Sequence, residues 1–132
     1  MKKKIFAVLI ILVGVGAFVF WRMTRTAPVT ADCQRIDSNE IIITYQSDES
    51  FSPACVIIKP GTKVAWKNSS NAALEVGADP HPAHTGNREV SNGEFDLDVK
   101  PGEQATVTLT TVGIHGYHNH EHFSSKGVIK VE

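Results

Sequence analysis

Val56-Ile57-Ile58-Lys59-Pro60-Gly61-Thr62-Lys63-Val64-Ala65-Trp66-Lys67-Asn68 decides how this chain folds. β-Branched and aromatic residues dominate both ends, and these side chains suit a pleated, half-buried surface. Lys59-Pro60-Gly61 between them is a turn signal, since proline presets one turn torsion and glycine accepts another that other residues resist. The reading is two short strands on either side of a turn.

Working outward, the same composition recurs at Ile41 to Tyr45, Ala54 to Ile58, Phe95 to Val99, Ala105 to Thr110 and Gly127 to Val131. Alternation is clearest in Val107-Thr108-Leu109 and in Val128-Ile129-Lys130-Val131. Asn92-Gly93 and Lys100-Pro101-Gly102 supply further turns, and no stretch after residue 26 sustains a helical period. Strands of this length and spacing predict an all-β domain over 40–132, a two-sheet antiparallel sandwich with Trp66 and Phe95 in its core.

The N-terminal end is different. Lys2, Lys3 and Lys4 precede an apolar run from Ile5 to Trp21, broken only by Gly14 and Gly16. This is either a cleaved signal peptide or an uncleaved anchor. The small-residue site Val29-Thr30-Ala31 lies well downstream of the run, which favours the anchor. A 17-residue helix rises about 26 Å, slightly short of a bilayer core, so Lys4 and Arg22 would reach for the two interfaces. The expected organisation is a transmembrane helix within 1–25, a linker over 26–39 of low hydrophobicity, and the β-domain. The lysine end stays inside, leaving the domain extracytoplasmic, periplasmic or on the cell surface.

The whole chain of 132 residues has a net charge of −1, but all 14 acidic residues lie after Arg25, together with only 8 of the 13 basic ones. An acidic domain of this kind excludes nucleic-acid binding through basic patches. Export also explains the two cysteines, Cys33 and Cys55, as a disulfide. The alternative, a cysteine metal ligand, is weakened because neither sits beside a histidine.

All six histidines fall between residues 81 and 122. The first group is His81-Pro82-Ala83-His84, preceded by Asp79-Pro80. The second runs His115-Gly116-Tyr117-His118-Asn119-His120-Glu121-His122. If Tyr117 to His122 is extended, His118, His120 and His122 point to one face, because side chains alternate with period 2. Neutral imidazole is the commonest transition-metal ligand, and two such groups can converge on one ion. All-imidazole donors suit copper(II), zinc, nickel or iron, with copper(II) highest in affinity. Proton sensing is the other use of clustered histidines. His115 alone reads as an ordinary hydrogen-bonded side chain.

Phe51-Ser52-Pro53, then residues 56–68, Val99-Lys100-Pro101-Gly102-Glu103, Gly113 through Tyr117-His118, and Gly127 to Val131 resemble the cupredoxin family of small blue copper proteins. The resemblance covers about residues 41–132 and implies a Greek-key β-sandwich with copper held at one end. It also exposes departures. The family's first histidine position holds Leu74, its cysteine position holds Asn119, and its second histidine position holds His122. No methionine follows Met23. A copper site without thiolate lacks the charge transfer that makes blue proteins blue, so no intense blue colour is expected. His81 and His84 with His118 and His120 are the expected replacements, and the His-Pro-x-His loop plus Tyr-His-x-His resembles that of histidine-ligated exported relatives. His122 is a further candidate. Asp79 and Glu121 are expected outside the ligand set, Asp79 as a partner for an imidazole.

The implied function is copper binding or handling, with copper as the expected metal, zinc as the alternative, and release as the rings protonate below about pH 6. The expected partners are the metal ion, the membrane, and an exported redox or copper-handling protein. Electron transfer with an atypical site, or a copper-dependent oxidoreductase using an open coordination position, are the alternatives. A fourth reading is a scaffold that has lost its metal.

Overall fold

In the computed structural model, the structure describes residues 33–132. The transmembrane helix expected within 1–25 and residues 26–32 of the expected linker lie outside the described residues. Among the described residues no helix is long and apolar enough to cross a membrane.

Among the described residues ten strands form: β1 Gln34–Arg35, β2 Glu40–Tyr45, β3 Phe51–Ser52, β4 Cys55–Ile58, β5 Thr62–Asn68, β6 Leu74–Ala78, β7 Asp96–Val99, β8 Gln104–Leu109, β9 Gly113–Asn119 and β10 His122–Val131. A single 3-10 turn, Arg88–Ser91, interrupts the long loop before β7. One sheet has the order β1-β4-β10-β9-β6-β7 and the other β3-β2-β5-β8.

The two sheets close over one core. In β2, Ile41, Ile43 and Tyr45 are buried while Glu40 and Ile42 are exposed, which is the period-2 pattern of a strand with one wet face. Tyr45, Phe51, Trp66 and Tyr117 meet at tilted and edge-on angles, with ring centroids 4.7–6.1 Å apart. Aromatic quadrupoles favour such angles over face-to-face stacking. The buried Trp66 indole N–H donates to the Val90 carbonyl at 2.9 Å, so the long loop is fastened to the core.

Three features differ from the sequence expectation. The sheets are mixed rather than antiparallel: β2 pairs with β5 in parallel, as β4 does with β1 and β10. Side-chain alternation reports which face is buried and is silent on strand direction, which the connections decide. Gln34–Arg35, inside the stretch read as linker, pairs with β4, and the Cys33–Cys55 disulfide ties that strand at its edge. Phe95, expected in the core, is 44% exposed and lies outside it; its ring serves the histidine cluster instead.

Candidate metal centre

The centre is built on the outer face of the six-stranded sheet. Leu74, Val76 and Ala78 of β6 point into the core, so Glu75 and Gly77 point out. Likewise Tyr117 and Asn119 of β9 point in, and His118 points out opposite Gly77. A Cβ on Gly77 would lie 2.4 Å from His84 Cε1, so the glycine leaves the floor on which the His84 ring rests. Gly116 does the same for Asp79, whose Oδ2 would be 2.3 Å from an added Cβ.

The loop after β6 folds back over this floor. The Asp79 N–H donates to Gly116 O at 3.0 Å, the His84 N–H to Pro80 O at 2.9 Å and the Gly86 N–H to Asp79 O at 2.9 Å. Arg88 Nε donates to the His84 carbonyl at 3.1 Å. These bonds hold His84 in the left-handed region at φ 49°, which costs a non-glycine residue about 1–2 kcal/mol. Further along, Glu89 accepts from the backbone and hydroxyl groups of Thr110 and Thr111 and pins the 3-10 turn.

The hydrogen bonds fix the tautomers. His84 Nδ1 lies 2.7 Å from Phe95 O, and His118 Nδ1 lies 2.7 Å from Asp79 Oδ1. A carbonyl and a carboxylate only accept, so both Nδ1 atoms carry the proton and both Nε2 atoms are bare when the rings are neutral. Those two bare nitrogens face each other at 3.0 Å, and His120 Nδ1 is 3.1 Å from His84 Nε2. Even if His120 donates to His84, the lone pairs of His84 and His118 are left pointing at one another.

His81, more exposed, completes the ring of donors. Its centroid is 5.2 Å from that of His118 and 5.0 Å from that of His120. One nitrogen from each of the four lies within 4.8 Å of the others. A tetrahedral set at about 2.0–2.1 Å from an ion places neighbouring nitrogens about 3.3 Å apart. The donor set therefore fits a transition-metal ion, which would bind the lone pairs that otherwise repel.

The surroundings favour the neutral form of His118 and orient the other rings. Burial pushes His118 below the ordinary histidine range; the Asp79 hydrogen bond and charge oppose this, and the neighbouring His84 and His81 reinforce it. Phe95 stacks on His84 at 4.2 Å and 22°, and Phe123 stacks on His81 at 5.0 Å and 16°.

The remaining histidines lie elsewhere. β9 ends at Asn119, and a turn at His120-Glu121 reverses the chain, so the alternation that would align His122 with His118 and His120 is interrupted. His122 instead has Nδ1 3.0 Å from Glu49 Oε2 and Nε2 2.9 Å from Ser124 Oγ. His115 Nε2 contacts Thr111 O at 2.6 Å, and Glu121 is exposed. Sequence reasoning missed Gly77, Gly116 and Phe123. A glycine inside a strand is the signal that something approaches the backbone closely, but Leu74–Ala78 and the part of β9 before Tyr117 lie outside the expected strands.

The inner side of the same region is closed. Asn119 Nδ2 donates to Tyr45 Oη at 3.1 Å and Ala73 O at 3.0 Å, while its Oδ1 accepts from the backbone of Glu75 at 3.0 Å and Glu121 at 3.3 Å. Leu74 is fully buried in the core. Two of the three positions at which the cupredoxin resemblance expects family ligands thus hold a saturated amide and an aliphatic side chain.

Comparison with known proteins agrees with this architecture. Among solved structures, a Met-to-Ala variant of amicyanin in its Cu(I) form is similar, with TM-score 0.55 and 20% identity, over 74% of this chain and 86% of that one. A purple cupredoxin from Nitrosopumilus maritimus is similar with TM-score 0.55 and 17% identity, over 69% and 98%. Oxidised plastocyanin from Dryopteris crassirhizoma gives TM-score 0.56 and 17% identity, over 70% and 100%. Identities this low speak for the fold alone. A comparison with curated proteins finds no match. The model of copper binding proteins of the plastocyanin/azurin family matches residues 41–132, and the chain belongs to that family.

Proposed function

We propose that this protein is a membrane-anchored, extracytoplasmic copper-binding domain that holds one ion through His81, His84, His118 and His120 and serves in copper binding or handling. The observation that carries this reading is the pair of bare Nε2 atoms 3.0 Å apart on His84 and His118, with His120 Nδ1 beside them. Two buried lone pairs pointed at each other are unfavourable without a cation. Membership of a copper-binding family favours copper, and the first-row affinity order places copper(II) above zinc for imidazole donors. The apolar run Ile5–Trp21 behind a lysine cluster supports the anchor, and the disulfide supports an oxidising compartment.

Copper titration of the full chain, solubilised in detergent, tests the reading. The wild type takes up one equivalent, and a variant with His81, His84, His118 and His120 all replaced by Ala takes up none with comparable affinity. A quadruple variant that binds as tightly as wild type would contradict it. Sedimentation of the protein with membranes, and its release only by detergent, checks the anchor.

Electron transfer is the second reading. It is favoured by the fixed partners of His84 and His118, which would limit rearrangement between oxidation states. A reversible couple with rapid self-exchange would distinguish it from handling.

A further inference from the structure

Glu75 and Asp96 lie on the same outer face as His118 and Gly77. The β6–β7 register sets Asp96 opposite Gly77 and Asp98 opposite Glu75, so Asp96 is the diagonal neighbour of Glu75. The backbone N–H of His120 donates to the Glu75 carbonyl at 2.7 Å, which brings the imidazole beside both carboxylates. One ligand atom each from Glu75, Asp96 and His120 lie within 4.8 Å of one another, and all three residues are half-buried. Among the described residues, neither carboxylate forms an ion pair with a lysine or arginine.

Two carboxylate oxygens and one imidazole nitrogen make a harder ligand set than four imidazoles, and they suit a divalent ion arriving from water. A neutral imidazole offers one lone pair, so His120 serves one position at a time. We infer that Glu75, Asp96 and His120 form a capture position for a divalent metal ion, from which the ion passes to His81, His84 and His118 as His120 turns from one set to the other. The inference rests on the four-histidine reading and adds a route of entry and exit to it.

A route changes rates and leaves the end point alone. Stopped-flow uptake of copper(II) by the full chain in detergent, followed by tryptophan emission, compares two variants of equal charge change. Glu75→Gln with Asp96→Asn is expected to slow association about tenfold or more. Release into a competing chelator slows by the same factor, so affinity and one-to-one stoichiometry are unchanged, which also shows that the variant folds. Asp98→Asn with Glu121→Gln removes two charges that act on Glu75 but lie outside the cluster, and changes both rates by less than about twofold. Equal slowing in the two variants would reduce the effect to general electrostatic attraction and overturn the capture position, as would no slowing in the first. A wild-type chain that takes up no stoichiometric copper overturns the four-histidine reading itself and the route with it.

Discussion

Asn119 and its neighbours His118 and His120 are consecutive in the chain and differ in almost everything else. Asn119 faces the space between the sheets, where all its amide hydrogen-bonding groups are occupied. His118 faces outward under the Asp79–Phe95 loop, with its lone pair bare and aimed at another imidazole. One position along a strand exchanges the two faces of a sheet. A cysteine at 119, the position the cupredoxin resemblance gives to the family's thiolate, would face the space between the sheets, whereas the histidines on either side address a different surface. Family membership accounts for the fold of this protein, while the inner position is filled by a hydrogen-bonded amide and the outer one carries the imidazoles on which the proposed copper site rests.

Replacing Asn119 by Cys tests the separation most severely. It removes several buried hydrogen bonds and leaves their partners unsatisfied, so a loss of about 3 kcal/mol is expected in denaturant unfolding. Despite the new thiol, the copper-loaded variant stays without intense blue colour, because the cysteine lies on the wrong face and Leu74 offers no imidazole. A strong blue band would collapse the distinction between inner and outer positions.

Asp79→Ala acts on the outer side alone. Without its carboxylate acceptor, the His118 ring loses both orientation and tautomer, and copper affinity falls about 10–100-fold in competition with a chelator. The inner network of Asn119 does not touch Asp79, so unfolding should change far less than in the Asn119 variant.

A smaller effect concerns the loop that covers the histidines. Burial works to raise the Glu89 carboxyl, but hydrogen bonds from Thr110, Thr111 and Asn87 outweigh it and hold the group at about 2, against an ordinary 4.5. A carboxyl lowered on folding stabilises above its unfolded value and loses that contribution as pH falls through its folded value. Glu89→Gln should therefore cost about 1–2 kcal/mol at neutral pH, with wild type and variant converging toward pH 2. A difference independent of pH would mean that packing of the turn, rather than the charge, pins the loop.

The strands around residues 56–68 were legible because β-branched runs and proline-glycine turns speak in the same sense. β6 and β9, which carry the site, were not: Glu75 and Gly77 interrupt one apolar pattern, and histidine and glycine dilute the other. Those same residues are the ones that make room for or provide donors, so the strands were obscured by the features that give them their use. Histidine spacing indicated the chemistry, but period-2 reasoning carried across the His120-Glu121 turn aligned His122 with a set from which the reversal of the chain removes it. Phe95 at the head of an expected strand reads as core; its stacking on His84 is a contact that no local pattern announces.

The central claim is that the four outward histidines, and no thiolate or inner ligand, hold the copper. The most direct test is the visible and electron paramagnetic resonance spectrum of the full chain loaded with one equivalent of copper(II). The account predicts a copper signal coupled to imidazole nitrogens with only weak visible absorption, lost when His84 and His118 are replaced together. An intense blue band, or an unchanged signal in that double variant, would contradict it.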